Sequence, residues 1–340
     1  MRLILIGFGT VGQGLAQILQ DKAADLKKRQ GFEGRIVGVA TGSRGILYHD
    51  DGLSPADLLA AIDKGSFDHY PNSVGLHRYN DVVQMIQAAT ADVLVEASPT
   101  HLDSGQPALS YMEAALQSGK HVVTANKGPI ARDLSHLQAM AADNQVQVRF
   151  EATVMAGTPA VATGIDLLSG CTISEARGIL NGTTNYILTQ MEEGLSYEKA
   201  LKQAQTLGYA ETDPTADVEG WDAAAKVLIL LSALFGQQTA QSDLSVTGIT
   251  AITQADIEAA KKSGERYKLI ASANATGGRV QAMRLPLSDP LAQIGGATNA
   301  ITFSTDLMGD ITLIGAGAGK LETGYALLAD LLAIHRQQCV

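Results

Sequence analysis

Short apolar runs alternate with longer amphipathic ones through the first half of this chain. RLILI precedes a helical pattern from Val11 to Lys28, and RIVGVA precedes one from Pro55 to Lys64. DVLVEA is followed by Pro107 to Ser118, and KHVVTA by Leu134 to Asn144. The short runs are rich in β-branched residues and too apolar to have one wet face, so they read as strands buried on both sides. Strands of that kind separated by helices can close a core only as a parallel sheet with helices on both faces, a doubly wound α/β fold.

The first strand runs into a glycine loop. LILIGFGTVGQG places Gly7, Gly9 and Gly12 in the GxGxxG spacing between a strand and a helix. In that context the first glycine allows the tight turn, the second lets a pyrophosphate approach the backbone, and the third lets helix and strand pack closely. The phosphates would lie over the free N–H groups of the helix that starts at Thr10 and Val11. A glycine-rich turn in a nucleotide-free domain is the plainer alternative. The end of the second strand selects the cofactor: an acidic residue there favours NAD and an arginine favours NADP. Here the strand enters Thr41, Gly42, Ser43 and Arg44, with no carboxylate until Asp50. NADP(H) is therefore the preferred cofactor, with Ser43 and Arg44 at the phosphate and NAD(H) as the alternative. Arg44 as a solvated surface residue is the competing explanation.

With 340 residues, 46% of them hydrophobic, the chain is long enough for two lobes. A net charge of −10 with no basic patch excludes a nucleic-acid or anionic-membrane surface. The longest apolar run, VLILLSALFG from Val227, is far short of the roughly 20 residues of a membrane span. The apolar run in MRLILIGFGTVG is too short, and too broken by glycines, to read as a signal peptide, and Cys171 and Cys339 stand far apart without a CxxC spacing. These features together indicate a cytoplasmic protein.

Past Glu151 the rhythm changes. Helical patterns at Thr184–Glu193, Tyr197–Leu207 and Asp217–Phe235 follow one another. The strand-like runs YKLIASANA, RVQAMRLPL, AITFST and DITLIGA come next. This is a second, α+β lobe with an antiparallel or mixed sheet. Residues 1–150 and 316–340 would form the dinucleotide-binding domain, the last helix packing back on it, and residues 151–315 the substrate-binding and dimerisation domain.

Two lysines and a run of acids stand out. In GKHVVTANKGP a strand ends at Thr124, so Ala125, Asn126 and Lys127 should form a polar loop outside the carboxyl end of the sheet, where ligands bind. A lysine there can stabilise a developing alkoxide or move a proton; a surface lysine is the bland alternative. GYAETDPTADVEGWDAAAK holds Glu211, Asp213, Asp217, Glu219 and Asp222 within 19 residues. Gly208 reads as a helix C-cap and Asp217 as the N-cap of the next helix. Asp222 and Lys226 fall at i,i+4 on a helix apolar almost all round. Such a pair is usually a surface bridge, but on a buried helix it is costly unless it serves a cleft. With Glu211 it would suit an amino-acid substrate, carboxylates facing the ammonium and lysine the reacting oxygen.

GFGTVGQG, VVTANKGP, EATVMAGTP, GILNGTTNYIL and GYAETDPTADVEGWDAAAK together closely resemble homoserine dehydrogenase, in the same order and over essentially the whole chain. The last two motifs are highly specific; the first is shared with many nucleotide-binding proteins. The resemblance implies NAD(P)-linked, reversible reduction of L-aspartate 4-semialdehyde to L-homoserine, on the branch to threonine, methionine and isoleucine, by a homodimer formed through the second lobe. It makes Lys226 the proton donor or acceptor at the substrate oxygen and Lys127 a second essential lysine, with Asp222 setting the field beside them. It assigns substrate binding to Glu211 and Asp222 and the shaping of the pocket to Asn181, Gly182 and Thr183. Ser98 and Thr100 would line the cofactor site. It also implies a monovalent cation, sodium, on Glu151 and the carbonyls of Val154, Ala156 and Thr158, although Met155 stands where many members have glycine. A C-terminal regulatory domain, carried by longer members, is not expected. A dehydrogenase of another small semialdehyde or hydroxy acid, or a non-catalytic NADP-sensing dimer, remains the alternative.

Overall fold

The structure is a computed structural model that describes residues 1–338; Cys339 lies outside them, and Cys171 is a free thiol. The chain divides into two compact units, Met1–Thr153 with Gly319–Val340, and Val154–Ala318. No helix among the described residues is long and apolar enough to cross a membrane.

The first unit is built on a seven-stranded sheet. Its strands are β1 (Arg2–Ile6), β2 (Arg35–Thr41), β3 (Gly45–Tyr48), β4 (His77–Arg78), β5 (Val93–Glu96), β6 (His121–Thr124) and β7 (Val148–Arg149), in the order β4-β3-β2-β1-β5-β6-β7. β1 pairs in parallel with both β2 and β5, and β5, β6 and β7 continue in parallel. The strand order therefore reverses between β1 and β5, the switch point at which a doubly wound sheet binds its ligand. β3 and β4 add an antiparallel edge that the apolar rhythm did not announce. A tight turn makes it: the Thr41 hydroxyl accepts from the Arg44 N–H at 2.8 Å, and Gly45 takes a φ of 107° that favours glycine.

Two expected helices differ in extent. The run from Val11 to Lys28 is two helices, Thr10–Asp21 and Ala23–Gln30, parted at Lys22, whose φ of −105° and ψ of 6° leave the helical region; the first buries Leu15, Ala16 and Leu19, whereas the second has no fully buried residue. Lys127 does not sit in a loop but opens the helix Lys127–Asp143. Asn126 caps it by accepting from the Gly128 N–H at 3.1 Å, and Pro129 fits the first turn, where its missing N–H costs nothing. The final helix, Lys320–Gln338, supplies Ala326, Leu327, Leu328, Leu331 and Ile334 to the same core as β1 and the helix Thr10–Asp21. A Cβ on Gly14 would strike the Lys320 carbonyl, and one on Gly324 would lie 2.7 Å from the Leu15 nitrogen, so glycine is what lets these two helices touch.

The second unit carries a six-stranded mixed sheet. Its strands are β8 (Ile173–Ile179), β9 (Ser245–Thr247), β10 (Glu265–Asn274), β11 (Gly277–Pro286), β12 (Thr298–Thr305) and β13 (Gly309–Ala316), in the order β13-β12-β8-β10-β11-β9. All pairings are antiparallel except β9 with β11. The central strand, β8, went unnoticed in the sequence, because ISEARGI mixes charge with glycine. Gly178 is there because the Ile301 Cα of β12 would lie 2.8 Å from any Cβ. The helices Gly182–Glu192 and Tyr197–Thr206 follow β8. The expected helix Asp217–Phe235 is two, Thr215–Val218 and Trp221–Phe235, parted by Gly220 at φ 91°. Asp217 consequently lies inside the short helix and does not cap the long one, whose N-cap is Gly220.

Candidate active site

Unit one prepares a dinucleotide site mainly from backbone. Gly7, after β1, has φ 89°, and a Cβ there would run into the Ala97 carbonyl beyond β5. A Cβ on Gly12 would strike the Gly7 carbonyl, which is the close helix–strand contact that the third glycine permits. Gly9 is different: its φ is an ordinary −81°, it is exposed, and nothing lies within 4 Å of where a Cβ would be. The space is on the outside of the loop. No side chain caps the helix Thr10–Asp21, so its first N–H groups, Thr10 and Val11 among them, face outward with the positive end of the dipole. These residues fit a pyrophosphate. Ser43 and Arg44 are exposed on the β2–β3 turn at the same end of the sheet. Asp50, the first carboxylate after β2, is drawn to the opposite end: it accepts from the Tyr48 hydroxyl at 2.5 Å and pairs with Arg2, the first residue of β1, at 3.1 Å.

Beyond β5 and β6 the loops carry the other expected groups. Ser98 is half-buried, and Thr100 likewise; Lys127 is half-buried as the first residue of its helix. Beneath them lies a group not singled out from the sequence. Glu96, the last residue of β5, is fully buried, and its Oε1 accepts from the Ser98 N–H at 3.0 Å and from the Ser98 hydroxyl. Burial pushes its carboxyl up to about 7 against the pull of these hydrogen bonds. A carboxylate ending an otherwise wholly apolar strand was the signal available.

Unit two builds its site from side chains brought in by three segments. The helix Trp221–Phe235 is buried along Ala223–Leu231, and Lys226 with it, at 7% exposure. The Lys226 ammonium donates to the Asp222 Oδ2 at 2.7 Å and to the Leu180 carbonyl, at the end of β8, at 2.5 Å. The i,i+4 pair is therefore no surface bridge. Asn181, the N-cap of the helix Gly182–Glu192, uses its oxygen for the Thr184 N–H at 2.9 Å and its NH₂ for two carboxylates, Asp217 at 2.6 Å and Asp222 at 3.0 Å. Burial, with the charge of Asp222 adding to it, raises the Asp217 carboxyl above the usual range although the Asn181 bond opposes this.

Asp217 thus belongs to the cluster. Gly182 starts its helix where the Ala297 carbonyl leaves only 2.6 Å for a Cβ, and the Thr183 hydroxyl donates to the Tyr209 carbonyl at 2.5 Å. Glu211 is not brought into this network: it is exposed, and its carbonyl accepts from Gln205 at 3.2 Å.

The segment expected to hold a cation is contorted. Glu151 is buried in a single turn Glu151–Thr153, where its N–H donates to the buried Asp330 carboxylate at 2.8 Å. Val154 is buried, and Met155 and Ala156 both take left-handed φ, 59° and 47°. Thr158 donates its N–H to the Met155 carbonyl at 3.0 Å and its hydroxyl to Ala316 at 3.1 Å. A methionine therefore holds the conformation that glycine would adopt more readily.

A doubly wound sheet with an open glycine loop at its switch point is the frame of a dinucleotide-binding domain, and residues 7–151 match the family model for the homoserine dehydrogenase NAD-binding domain, which makes the chain a nicotinamide-dependent oxidoreductase. Residues 159–332 match the homoserine dehydrogenase model itself. The chain belongs to the homoserine dehydrogenase family. It is 42% identical to an NAD(+)-dependent homoserine dehydrogenase of Pseudomonas canavaninivorans, over 98% of this chain and 96% of that one. It is 41% identical to the homoserine dehydrogenase of Methanocaldococcus jannaschii, over 98% of both. Among solved structures, a putative homoserine dehydrogenase from Archaeoglobus fulgidus superposes with a TM-score of 0.88 at 38% identity, covering 98% of this chain and 99% of that one. A hyperthermophilic archaeal homoserine dehydrogenase in complex with NADPH gives 0.82 at 28% identity, over 99% and 98%.

Proposed function

We propose that this chain catalyses the reversible reduction of L-aspartate 4-semialdehyde to L-homoserine, with NADP(H) preferred over NAD(H). The observation that carries the proposal is the buried Lys226–Asp222–Asn181–Asp217 network, a proton donor held among carboxylates in a chain whose family acts on homoserine. A bound nicotinamide cofactor supplies the hydride that the aldehyde carbon receives.

Lys226, fixed by Asp222 and the Leu180 carbonyl, gives its proton to the substrate oxygen in reduction and takes it back in oxidation. Asp222 and Asp217 attract the substrate ammonium, and Asn181 bridges the two carboxylates by donating to both. Gly182 and Thr183 shape the floor beside them; the assignments of Glu211, exposed on the acidic loop, to the ammonium and of Lys127 to the cofactor and the reaction rest on the family resemblance. Gly7, Gly9, Thr10, Val11 and Gly12 hold the pyrophosphate, and Ser98 and Thr100 the nicotinamide end. The NADP preference is supported by Ser43 and Arg44 on the β2–β3 turn and by the diversion of Asp50 to the far end of the sheet.

Sodium on Glu151 and the carbonyls of Val154, Ala156 and Thr158 belongs to the same proposal, supported by the buried carboxylate and the left-handed turn that follows it. A homodimer through the second unit is supported by the edge strand β13, which exposes Ile314, and by the exposed Leu307 and Met308 in the turn before it. The test is absorbance of reduced cofactor with L-homoserine and NADP or NAD at alkaline pH. Homoserine-dependent reduction is expected, faster with NADP; cofactor binding without turnover would reject the substrate.

A further inference from the structure

Glu96 is a carboxyl group that the chemistry above does not use, buried where a charge is expensive and surrounded by hydroxyl and amide partners. Its contacts run in two directions. On one side its Oε1 receives both the N–H and the hydroxyl of Ser98, which fixes the first turn of the loop after β5. On the other side lies the hydroxyl of Thr124, the last residue of β6, 3.5 Å from the Glu96 Oε2 and donating to the Glu96 carbonyl at 3.1 Å.

The same Thr124 oxygen accepts from the Asn126 N–H at 2.9 Å. Asn126 then returns to the first loop: its NH₂ donates to the carbonyls of Ser98 at 3.2 Å and Pro99 at 3.3 Å, while its oxygen caps the helix that Lys127 begins. The network closes on itself. The glycine loop leans on it as well, since Gly7 abuts Ala97, the residue between Glu96 and Ser98.

An apolar residue at position 96 would fill the same space at less desolvation cost, so a carboxyl here has to be explained by what it holds. We propose that Glu96 is a positioning residue for the cofactor: through Ser98 and Thr124 it fixes the two loops that present Ser98 and the Asn126–Lys127 helix start. The inference rests on the dehydrogenase proposal and concerns how tightly the folded protein binds cofactor. Glu96 is fully buried and acts through Ser98 and Thr124. Tyr111, on the helix Ala108–Gln117, is the titratable side chain that feels the Glu96 charge from the packed face, and its own phenol is raised mainly by burial.

The test is NADPH binding followed by cofactor fluorescence, with thermal melting in parallel, for the wild type, Glu96→Ala, Glu96→Gln and Thr124→Val. Glu96→Ala is expected to weaken NADPH about tenfold, the equivalent of one or two buried hydrogen bonds. Glu96→Gln keeps an acceptor for Ser98 and turns an N–H toward Thr124, and it should recover most of the affinity. Thr124→Val should weaken binding by a similar factor, and adding it to Glu96→Ala should cost little more, because both cut one network. A lower melting temperature with wild-type NADPH affinity in Glu96→Ala would overturn the inference. If that variant does not fold, Thr124→Val decides by the same measure. A wild type that binds neither NADPH nor NADH would remove the dehydrogenase proposal, and the inference with it.

Discussion

The glycine loop of the first unit and the lysine cluster of the second make functional surfaces by opposite means. The loop works by omission: a Cβ at Gly7 or Gly12 would strike neighbouring backbone, Gly9 faces open space, and in the proposed function the bare N–H groups meet the anion with no charged side chain needed. The cluster works by accumulation: one ammonium, two carboxylates and an amide are drawn from three separate segments into a largely buried knot. A site made of backbone fails when something is added to it. A site made of buried charge fails when something is taken away, because each partner removed leaves another unpaired.

The largest effect should come from the second kind of failure. Lys226→Ala is expected to lower kcat by ~10²–10⁴, the range for a lost general acid, with NADPH affinity unchanged; stopped-flow turnover and a binding titration separate the two, and near-normal kcat would break the contrast. Next comes pH. The native Glu96 carboxyl, at about 7, keeps its proton above the unfolded value of 4.5. Its contribution is fully present below pH 4.5 and is lost as pH rises through 7, on the order of 3 kcal/mol. Melting curves of Glu96→Gln set against wild type should diverge across that window and run parallel below it.

Gly14→Ala and Gly9→Ala test omission directly. A methyl on Gly14 meets the Lys320 carbonyl and should cost about 1–3 kcal/mol by urea unfolding. The methyl on Gly9 meets open space, so stability should hold while cofactor affinity falls. Asn181→Ala removes an N-cap and the amide between two carboxylates; a loss of about 1–2 kcal/mol in stability is expected, with a higher KM for homoserine. The smallest effect is Arg44→Ala, which should reduce the NADPH-to-NADH preference by about tenfold, one charge-assisted contact. An unchanged ratio would mean that the exposed Arg44 reads no phosphate.

The contrast also explains what could be read from the residues alone. Omission leaves a pattern within a dozen residues, so the glycine loop, the apolar strands beside it and the doubly wound order were legible. Accumulation does not. The pairing of Asp222 with Lys226 was visible as an i,i+4 step, but Asp217 looked like an N-cap because Gly220, the N-cap of the long helix after the short one has ended at Val218, carries no mark of where it bends the chain. Glu211, equally prominent in the acidic run, turned out to be exposed. β8 was hidden because a central strand that carries Glu175 and Arg177 has neither clean alternation nor an apolar run. Glu96 escaped notice because its partners, Ser98, Thr124 and Asn126, are ordinary polar residues until the sheet aligns the ends of β5 and β6.

The first unit is assembled from both ends of the chain, and the last helix supplies Ala326, Leu327, Leu328, Leu331 and Ile334 to a core begun by Leu3 and Leu5. During synthesis the ribosome therefore presents an incomplete core for the whole time it takes to make the second unit. The nascent first unit must hold a bare apolar face on the helix Thr10–Asp21 until the closing helix emerges, and the second unit, continuous in sequence, can finish folding before the first.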